Sequence, residues 1–289
     1  MKYAIIANPI SGKLSPNRKY EILKDLAALL GHGCSINGLE TKSREDYIEC
    51  AKSLENKADV LIIASGDGGL SSIINSVSKD KKLAYIPLGS GNSIRYALKL
   101  PRTLKGITDG ILSGHEHYLN LIGCNGYKAF TYSLGIDTLI LSKREELRKQ
   151  GYNGITCYAY ALFHVMKESC EKRNNAEMFL DGQFINDKEF LSLVVSKHPY
   201  YGYNIKINPN ACLEDKFLHV KILNPKKEEL LLTILQLLAK NIKNGEHIKA
   251  HTLLVLPNKE ISLQADGDIL LSGTEFKFEV LPKSLKMIY

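Results

Sequence analysis

Three apolar runs in the first third of the chain, 2–7, 60–64 and 83–88, each end in a glycine loop and each precede apolar residues at helical spacing. The loops read Ala7-Asn8-Pro9-Ile10-Ser11-Gly12-Lys13, Ser65-Gly66-Asp67-Gly68-Gly69 and Pro87-Leu88-Gly89-Ser90-Gly91-Asn92. Behind the first, Ser15 suits a helix cap and Pro16 a first turn. Ile22, Leu23, Leu26, Leu29 and Leu30 follow on one helical face, and Gly31 and Gly33 end it. Leu70, Ile73, Ile74 and Val77 make a second stripe, and Ile94, Tyr96, Ala97 and Leu98 a third that stops before Pro101. Strand, loop and helix in repetition predict an α/β domain with a parallel sheet. The loops that follow the strands of such a sheet share its carboxyl edge, where ligands bind. Glycine lets backbone N–H groups approach a phosphate, and a helix starting just behind adds a favourable dipole.

The pattern changes after about residue 118. Short strand-like runs at 128–134, 190–195, 217–222, 253–256, 261–264 and 276–280 are separated by turn residues. They predict a β-rich, sandwich-like, mainly antiparallel domain, interrupted by helices at about 153–170 and 227–242. The expected division is an α/β nucleotide-binding domain over 1–118 and a β-rich substrate domain over 119–289. Whether the last residues return to the first domain is left open.

Composition narrows the functional classes. The chain has 289 residues, of which 44% are hydrophobic and 24% charged, in keeping with two folded domains. Residues 230–239 form an apolar stretch interrupted by Thr233 and Gln236, far short of the ~20 residues of a membrane span. The start reads as a strand rather than a signal peptide. Six scattered cysteines form no Cys-x-x-Cys pair, which suits a reducing, cytoplasmic setting. The formal charge of +7 suits nucleotide phosphates or an anionic membrane surface. No RNA-binding signature or repeated finger points to nucleic acid.

Individual loop residues carry two readings each. Asp67 would repel a phosphate directly, so it reads as a ligand through Mg²⁺, water or a nucleotide hydroxyl, or as a turn aspartate capping the next helix. Asn8, Ser11 and Asn92 read as ligands or as turn and cap residues. Lys13 reads as a phosphate contact or a solvated lysine. The first loop lacks P-loop spacing, and none of the three is a dinucleotide fingerprint. Asp266-Gly267-Asp268 reads as a hairpin turn or as a pair of carboxylates aimed at chemistry. The basic run Lys143 to Lys149 reads as a solvated helix face, with Glu145 and Lys149 paired, or as a lipid-headgroup contact.

Taken together, these motifs resemble the diacylglycerol kinase catalytic family, which includes bacterial lipid kinases and sphingosine kinases. The three loops look like its Asn-Pro-x-Ser-Gly-Lys, Gly-Gly-Asp-Gly-Thr and Pro-Leu-Gly-Thr-Gly-Asn motifs. Ser133 to Asp137 looks like its Gly-x-Asp segment. Pro209-Asn210-Ala211 with Asp215 resembles its Pro-x-Ala…Asp-Gly stretch, and Asp266-Gly267-Asp268 its Asp-Gly-Glu motif. The order is preserved over nearly the whole chain. The resemblance implies an NAD kinase/diacylglycerol kinase-like fold and transfer of the γ-phosphate of ATP to a lipid hydroxyl in an interdomain cleft. It implies nucleotide binding at Asn8, Ser11, Gly12, Lys13, Thr41, Gly66, Asp67, Gly68, Gly89, Ser90, Gly91 and Asn92. It implies Asp268 as base with Asp266 beside it, and Asp137 near the lipid. It also implies a structural Mg²⁺ near Cys212, Asp215 and Phe217, partly through backbone oxygens. The implied partner is a lipid at a membrane surface, with peripheral association and with homodimerisation left open.

The chain departs from the family pattern at Ser65 (glycine), Gly69 (threonine), Ser72 (glutamate), Ser93 (aspartate), Lys216 (glycine) and Asp268 (glutamate). The losses at Gly69 and Ser72 and the lysine at 216 keep open a catalytically silent nucleotide- or lipid-binding protein, and the shared Gly-Asp-Gly element keeps open an NAD kinase-like enzyme.

Overall fold

The computed structural model describes the chain except residues 32, 153, 170–172, 225–231, 234 and 238. It divides into two units. The first comprises Met1–Leu119 with Lys283–Tyr289, and the second Asn120–Pro282.

The first unit is built on parallel strands in the order Ser35–Asn37, Tyr3–Ala7, Val60–Ser65, Lys82–Pro87 and the end of Phe276–Ile288. Tyr3–Ala7 and Val60–Ser65 are buried along their whole length, as strands covered on both faces are. The helix Pro16–Leu30 begins at Ser15, whose hydroxyl accepts from the Arg18 amide at 3.3 Å. Its Leu23, Leu26 and Leu30 pack with Ile107 and Ile111 against Ile5, Ile62 and Ile86. The chain starts in the middle of the sheet, and Tyr3–Ala7 has later strands on both sides. This arrangement is a topological switch, the place on an open parallel sheet where ligands bind. Ala7 lies opposite Ala64, and Ser65 opposite Pro87, so all three glycine loops leave the same edge at one level.

The final strand begins in the second unit and ends in the first. Lys286 and Met287 pair with Lys82 and Leu83. Glu116 binds Lys82 at 2.7 Å and Lys286 at 2.8 Å, and the His117 and Tyr289 rings stack at 4.0 Å.

The second unit is an antiparallel sandwich. One sheet runs Glu246–Ala250, Leu218–Leu223, Ser192–Ser196, Thr131–Gly135, Ile261–Ala265, Asp268–Gly273. The other contains Thr252–Pro257, Asn174–Leu180 and Gln183–Phe190 beside the start of the final strand, with Tyr127–Ala129 nearby. Leu134, Leu193, Leu218 and Val220 of the first sheet meet Met178, Leu253, Phe276 and Phe278 of the second. The parallel α/β domain and the antiparallel β-rich domain that the sequence predicts are thus both present.

Two expected strands are each two strands. The run 128–134 divides at Phe130, and the run 190–195 divides at Leu191. In both places the chain passes from one sheet to the other, so an uninterrupted apolar run serves two strands. The strands Asn174–Leu180 and Gln183–Phe190, which carry many polar residues, and the short Asp268–Gly273 are not among those the sequence predicts. The expected helix at 153–170 is present as Gly154–Ser169; of the one at 227–242, residues 227–231, 234 and 238 lie outside the described residues, and 232–233 and 235–237 are helical. Among the described residues, no helix is long and apolar enough to cross a membrane.

Hydrogen bonds from Lys286 and Lys82 hold the Glu116 carboxyl down at about 2, from an ordinary 4.5. Its contribution to folding is therefore complete above pH 4.5 and is lost as the pH falls toward 2. The gap in melting temperature between wild type and Glu116→Gln, open at neutral pH, is expected to close across that interval. A gap that stays constant down to the acid end would show that Glu116 does not tie in the final strand.

Candidate functional site

The three glycine loops of the first unit touch one another through backbone. The Asn8 amide donates to Ala64 O at 3.0 Å and the Leu88 amide to Ser65 O at 2.8 Å, so each loop is moored to the neighbouring strand. A Cβ on Gly89 would lie 2.5 Å from Gly66 Cα, and one on Gly12, where φ is +69°, would lie 2.1 Å from Leu88 O. A Cβ on Gly66 would lie 3.2 Å from both Gly89 Cα and Ser11 Oγ. Such approach is open only to glycine. Lys19 props the first loop from beneath. Its side chain is buried, and Nζ donates to Asn8 O at 2.9 Å and Pro9 O at 2.6 Å. Burial lowers its pKa.

Asp67 joins the second loop to the third. Its Oδ2 accepts from the Ser93 amide at 2.7 Å and the Ser93 hydroxyl at 2.9 Å, and Oδ1 from the Ile94 amide at 3.3 Å. Tyr85 Oη lies 3.3 Å from Asp67 Oδ1 and 3.4 Å from Asn92 Oδ1. The carboxylate therefore caps the helix Ser93–Ala97, the helix of the other loop. Burial pushes its pKa up, against the pull of the Ser93 and Ile94 donors. Ser93 stands where the family has aspartate, and its hydroxyl donates to Asp67 where a second carboxylate would face it with like charge.

Two other departures in the middle loop form one exchange. A Cβ on Gly69 would lie 2.7 Å from Ser65 Cβ and 2.8 Å from Ser65 Oγ. Ser65 fills the space that a side chain at position 69 would need, and its hydroxyl donates to Gly66 O at 2.9 Å. Ser72 donates to Gly68 O at 2.9 Å and accepts from Arg44 Nε at 3.0 Å, a partner that no motif in the sequence indicates.

The remaining expected nucleotide residues are placed as follows. Asn92 adopts φ +49° and donates to Gly89 O at 2.8 Å, so it shapes its own loop. Lys13 and Ser90 are exposed, and Gly68 and Gly91 half-buried. The Thr41 hydroxyl donates to Gly38 O at 2.7 Å within a turn. The loops thus bring Ser11, Gly12, Gly66, Gly89 and Asn92 together, with Asp67 linked through Ser93.

In the second unit, Asp266 and Gly267 are the two loop residues of a hairpin in which Ala265 faces Asp268. Both have positive φ, +46° and +93°, as the tight primed turn requires. The Asp266 carboxylate accepts from the Thr131 amide at 2.9 Å and the Phe130 amide at 3.1 Å. It anchors the turn to the neighbouring strand, which differs from the expectation of an acid directed at chemistry. Asp268, half-buried, follows as the first residue of the next strand.

Asp137 is buried in the first turn of the helix Ile136–Lys149 and accepts a hydrogen bond from the Ser192 hydroxyl. Burial pushes its carboxyl up to about 6. Gly135 before it has φ +95°, and a Cβ there would lie 2.4 Å from Leu191 O, so only glycine allows the helix to start here. Asp137 and Ser192 line an apolar pocket with Ile140, Leu162, Leu191, Ile205 and Leu237. It holds about 600 Å³ of unfilled space, its open mouth included.

The residues expected to hold a structural metal do not fit one. Cys212 is exposed. Asp215 O, Asp215 Oδ1 and Phe217 O converge on the ammonium of Lys197 at 2.8, 2.8 and 2.7 Å. Lys216, the departure flagged in the sequence, is exposed and is not the residue that fills the place. Among the described residues, no group of three or more His, Cys, Asp or Glu side chains is arranged for a metal ion.

Residues 2–124 match the diacylglycerol kinase catalytic domain, and residues 131–288 match the YegS C-terminal NAD kinase beta sandwich-like domain. A diacylglycerol kinase of Staphylococcus aureus (strain MRSA252) is 25% identical over 272 residues, 93% of this chain and 84% of that protein. A crystal structure of a diacylglycerol kinase from Bacillus anthracis str. Sterne superposes with a TM-score of 0.75 at 19% identity, covering 100% of this chain and 96% of that one. An NAD kinase from Archaeoglobus fulgidus in complex with ATP shares the fold more distantly, with a TM-score of 0.53 at 13% identity, over 100% and 94% of the two chains.

The 65/69 exchange is tested by a double-mutant cycle. Gly69→Thr alone is expected to cost roughly 1–3 kcal/mol in urea unfolding through overpacking against Ser65. Adding Ser65→Gly should restore most of it, a coupling of at least about 1 kcal/mol. Additive losses would show that the two positions do not share one space.

Proposed function

This chain belongs to the diacylglycerol kinase catalytic domain family, its second half being the YegS C-terminal NAD kinase beta sandwich-like domain, and we propose that it transfers the γ-phosphoryl group of ATP to the hydroxyl of a lipid. The observation that carries the lipid assignment is the pocket of the second unit. Most of its walls are aliphatic, Tyr158, Tyr201 and Thr233 complete them, and Asp137 and Ser192 supply a small polar patch. An acyl chain matches such walls, and a carboxylate can accept a hydrogen bond from a hydroxyl or amine at the lipid's polar end. A dinucleotide acceptor would leave its many polar groups facing Ile140, Leu162 and Leu191, which disfavours an NAD kinase-like reading.

The phosphates belong with the first unit. The backbone of the Gly12, Gly66 and Gly89 loops, free of side chains where they meet, is suited to line an anion. Phosphoryl transfer asks the protein mainly for positioning, charge neutralisation and an acceptor for the hydroxyl proton. We assign proton acceptance to Asp268, and to Asp266 the task of fixing the turn that presents it. Mg²⁺ belongs with the ATP phosphates, where it neutralises their charge, and no residue of either unit is assigned to it. The silent-protein alternative draws on the loss of the threonine and glutamate at Gly69 and Ser72 and on Lys216, and a rise in melting temperature with ATP but no lipid phosphorylated would favour it. The acceptor lipid would be met at a membrane surface.

Asp268→Asn tests the assignment. Labelled phosphate transfer from ATP to lipid is expected to fall by about 10²–10⁴-fold, with the ATP-induced rise in melting temperature unchanged. Transfer at the wild-type rate would remove Asp268 from the mechanism.

A further inference from the structure

The loop 209–217 of the second unit is shaped around a single positive charge. Two of its backbone carbonyls, Asp215 O and Phe217 O, and the carboxylate oxygen Asp215 Oδ1 point to one place. Oxygen atoms gathered in this way around a common centre suit a hard cation. The cation present is Lys197 Nζ. Its side chain is fully buried and arrives from the end of the strand Ser192–Ser196, with its own amide fixed on Phe130 O at 2.9 Å. Three ammonium protons meet three oxygens.

The surroundings complete the charge balance. Asp215 Oδ2 is engaged by His219 at 2.7 Å, and the far side of that ring lies 3.2 Å from His247. Asn120 donates to Asp215 O at 2.8 Å, and the Phe217 amide to Asp215 Oδ1 at 3.2 Å. Burial pushes the Asp215 carboxyl up, but Lys197, His219 and the Phe217 amide outweigh it and hold it below the usual range. Each of these partners is a donor, and Lys197 already bridges the three converging oxygens. A divalent ion at their centre would have to displace the ammonium and confront it within a few ångströms.

We propose that Lys197 is the resident cation of this loop, doing by covalent attachment what a structural divalent ion would otherwise do, so that the second unit folds and holds its shape without metal. The inference goes beyond the kinase reading and stands apart from it. Any need for Mg²⁺ in catalysis then belongs to the nucleotide alone.

The test uses the full chain with neither ATP nor lipid, so a failed kinase reading would leave it standing. Wild-type protein, stripped with EDTA and desalted, is compared by differential scanning calorimetry in EDTA, in Mg²⁺ and in Ca²⁺, and its retained metal is measured by mass spectrometry. The expected result is no stoichiometric metal and one melting temperature in all three. A bound structural ion at a hundredfold excess over its Kd would instead raise it by about 5–10 °C. Such a rise, or an equivalent of metal retained, overturns the proposal. Lys197→Met should melt about 10 °C or more lower, since it leaves the partly buried Asp215 carboxylate and two carbonyls without their cation. Melting at the wild-type temperature would also overturn it. If that variant does not fold, the wild-type measurements alone decide. Lys197→Ala, which opens the place, should gain a Mg²⁺- or Ca²⁺-dependent rise that wild type lacks; a folded Lys197→Ala indifferent to both ions would refute the equivalence of ammonium and metal.

Discussion

The first unit depends on one carboxylate. Asp67 leaves the end of a buried strand and gathers the first amides of the helix Ser93–Ala97 and the hydroxyl of Ser93. A carboxylate so enclosed is costly unless its oxygens are met by donors, and hydrogen bonds from amides to an ionised oxygen are the stronger kind. This bond set holds the second and third loops at the distance where Gly66 and Gly89 touch. With the first loop brought in by Gly12 and propped by Lys19, the backbone surface exists before any ligand arrives. Preorganisation of this kind lets a phosphate site act without the cost of ordering loops.

Lysines recur as the means of tying loops together. Lys19 joins Asn8 and Pro9, Lys81 joins the carbonyls of Glu55 and Ala58, Lys197 joins Asp215 and Phe217, and Lys221 donates to Ile242 O. Lys19, Lys197 and Lys221 are buried. A loop's carbonyls need donors when they leave the sheet, and an ammonium on a long stem reaches where no amide does. Part of the formal charge of +7 therefore lies inside the protein and is unavailable to a phosphate or a membrane.

The order of elements was legible because glycine loops after apolar runs leave few alternatives to a parallel sheet, and because alternating short runs signal an antiparallel sandwich. Strand boundaries failed at Phe130 and Leu191, where the chain changes sheets without any break in apolar character. Asp266-Gly267-Asp268 carried two readings. The turn reading holds for Asp266 and Gly267, and the chemical one is assigned here to Asp268 alone. Lys19 had a visible signal, since it shares the helical face of Leu23, Leu26 and Leu30. Lys197, Arg44 and Tyr85 had none. Each acts on a partner far away in sequence, and a local motif does not show which long side chain will arrive. For the same reason the family resemblance implies a metal at the loop around Asp215, which holds an ammonium in the fold.

Whether this chain phosphorylates a lipid decides the reading. The most direct measurement is incubation of the purified chain with γ-labelled ATP and Mg²⁺ on a total lipid extract, with NAD as a parallel acceptor and identification of the product. The account predicts label in a lipid phosphate extracted into organic solvent and none in the dinucleotide. Label in NADP, or no labelled lipid under conditions where ATP demonstrably binds the protein, would contradict it.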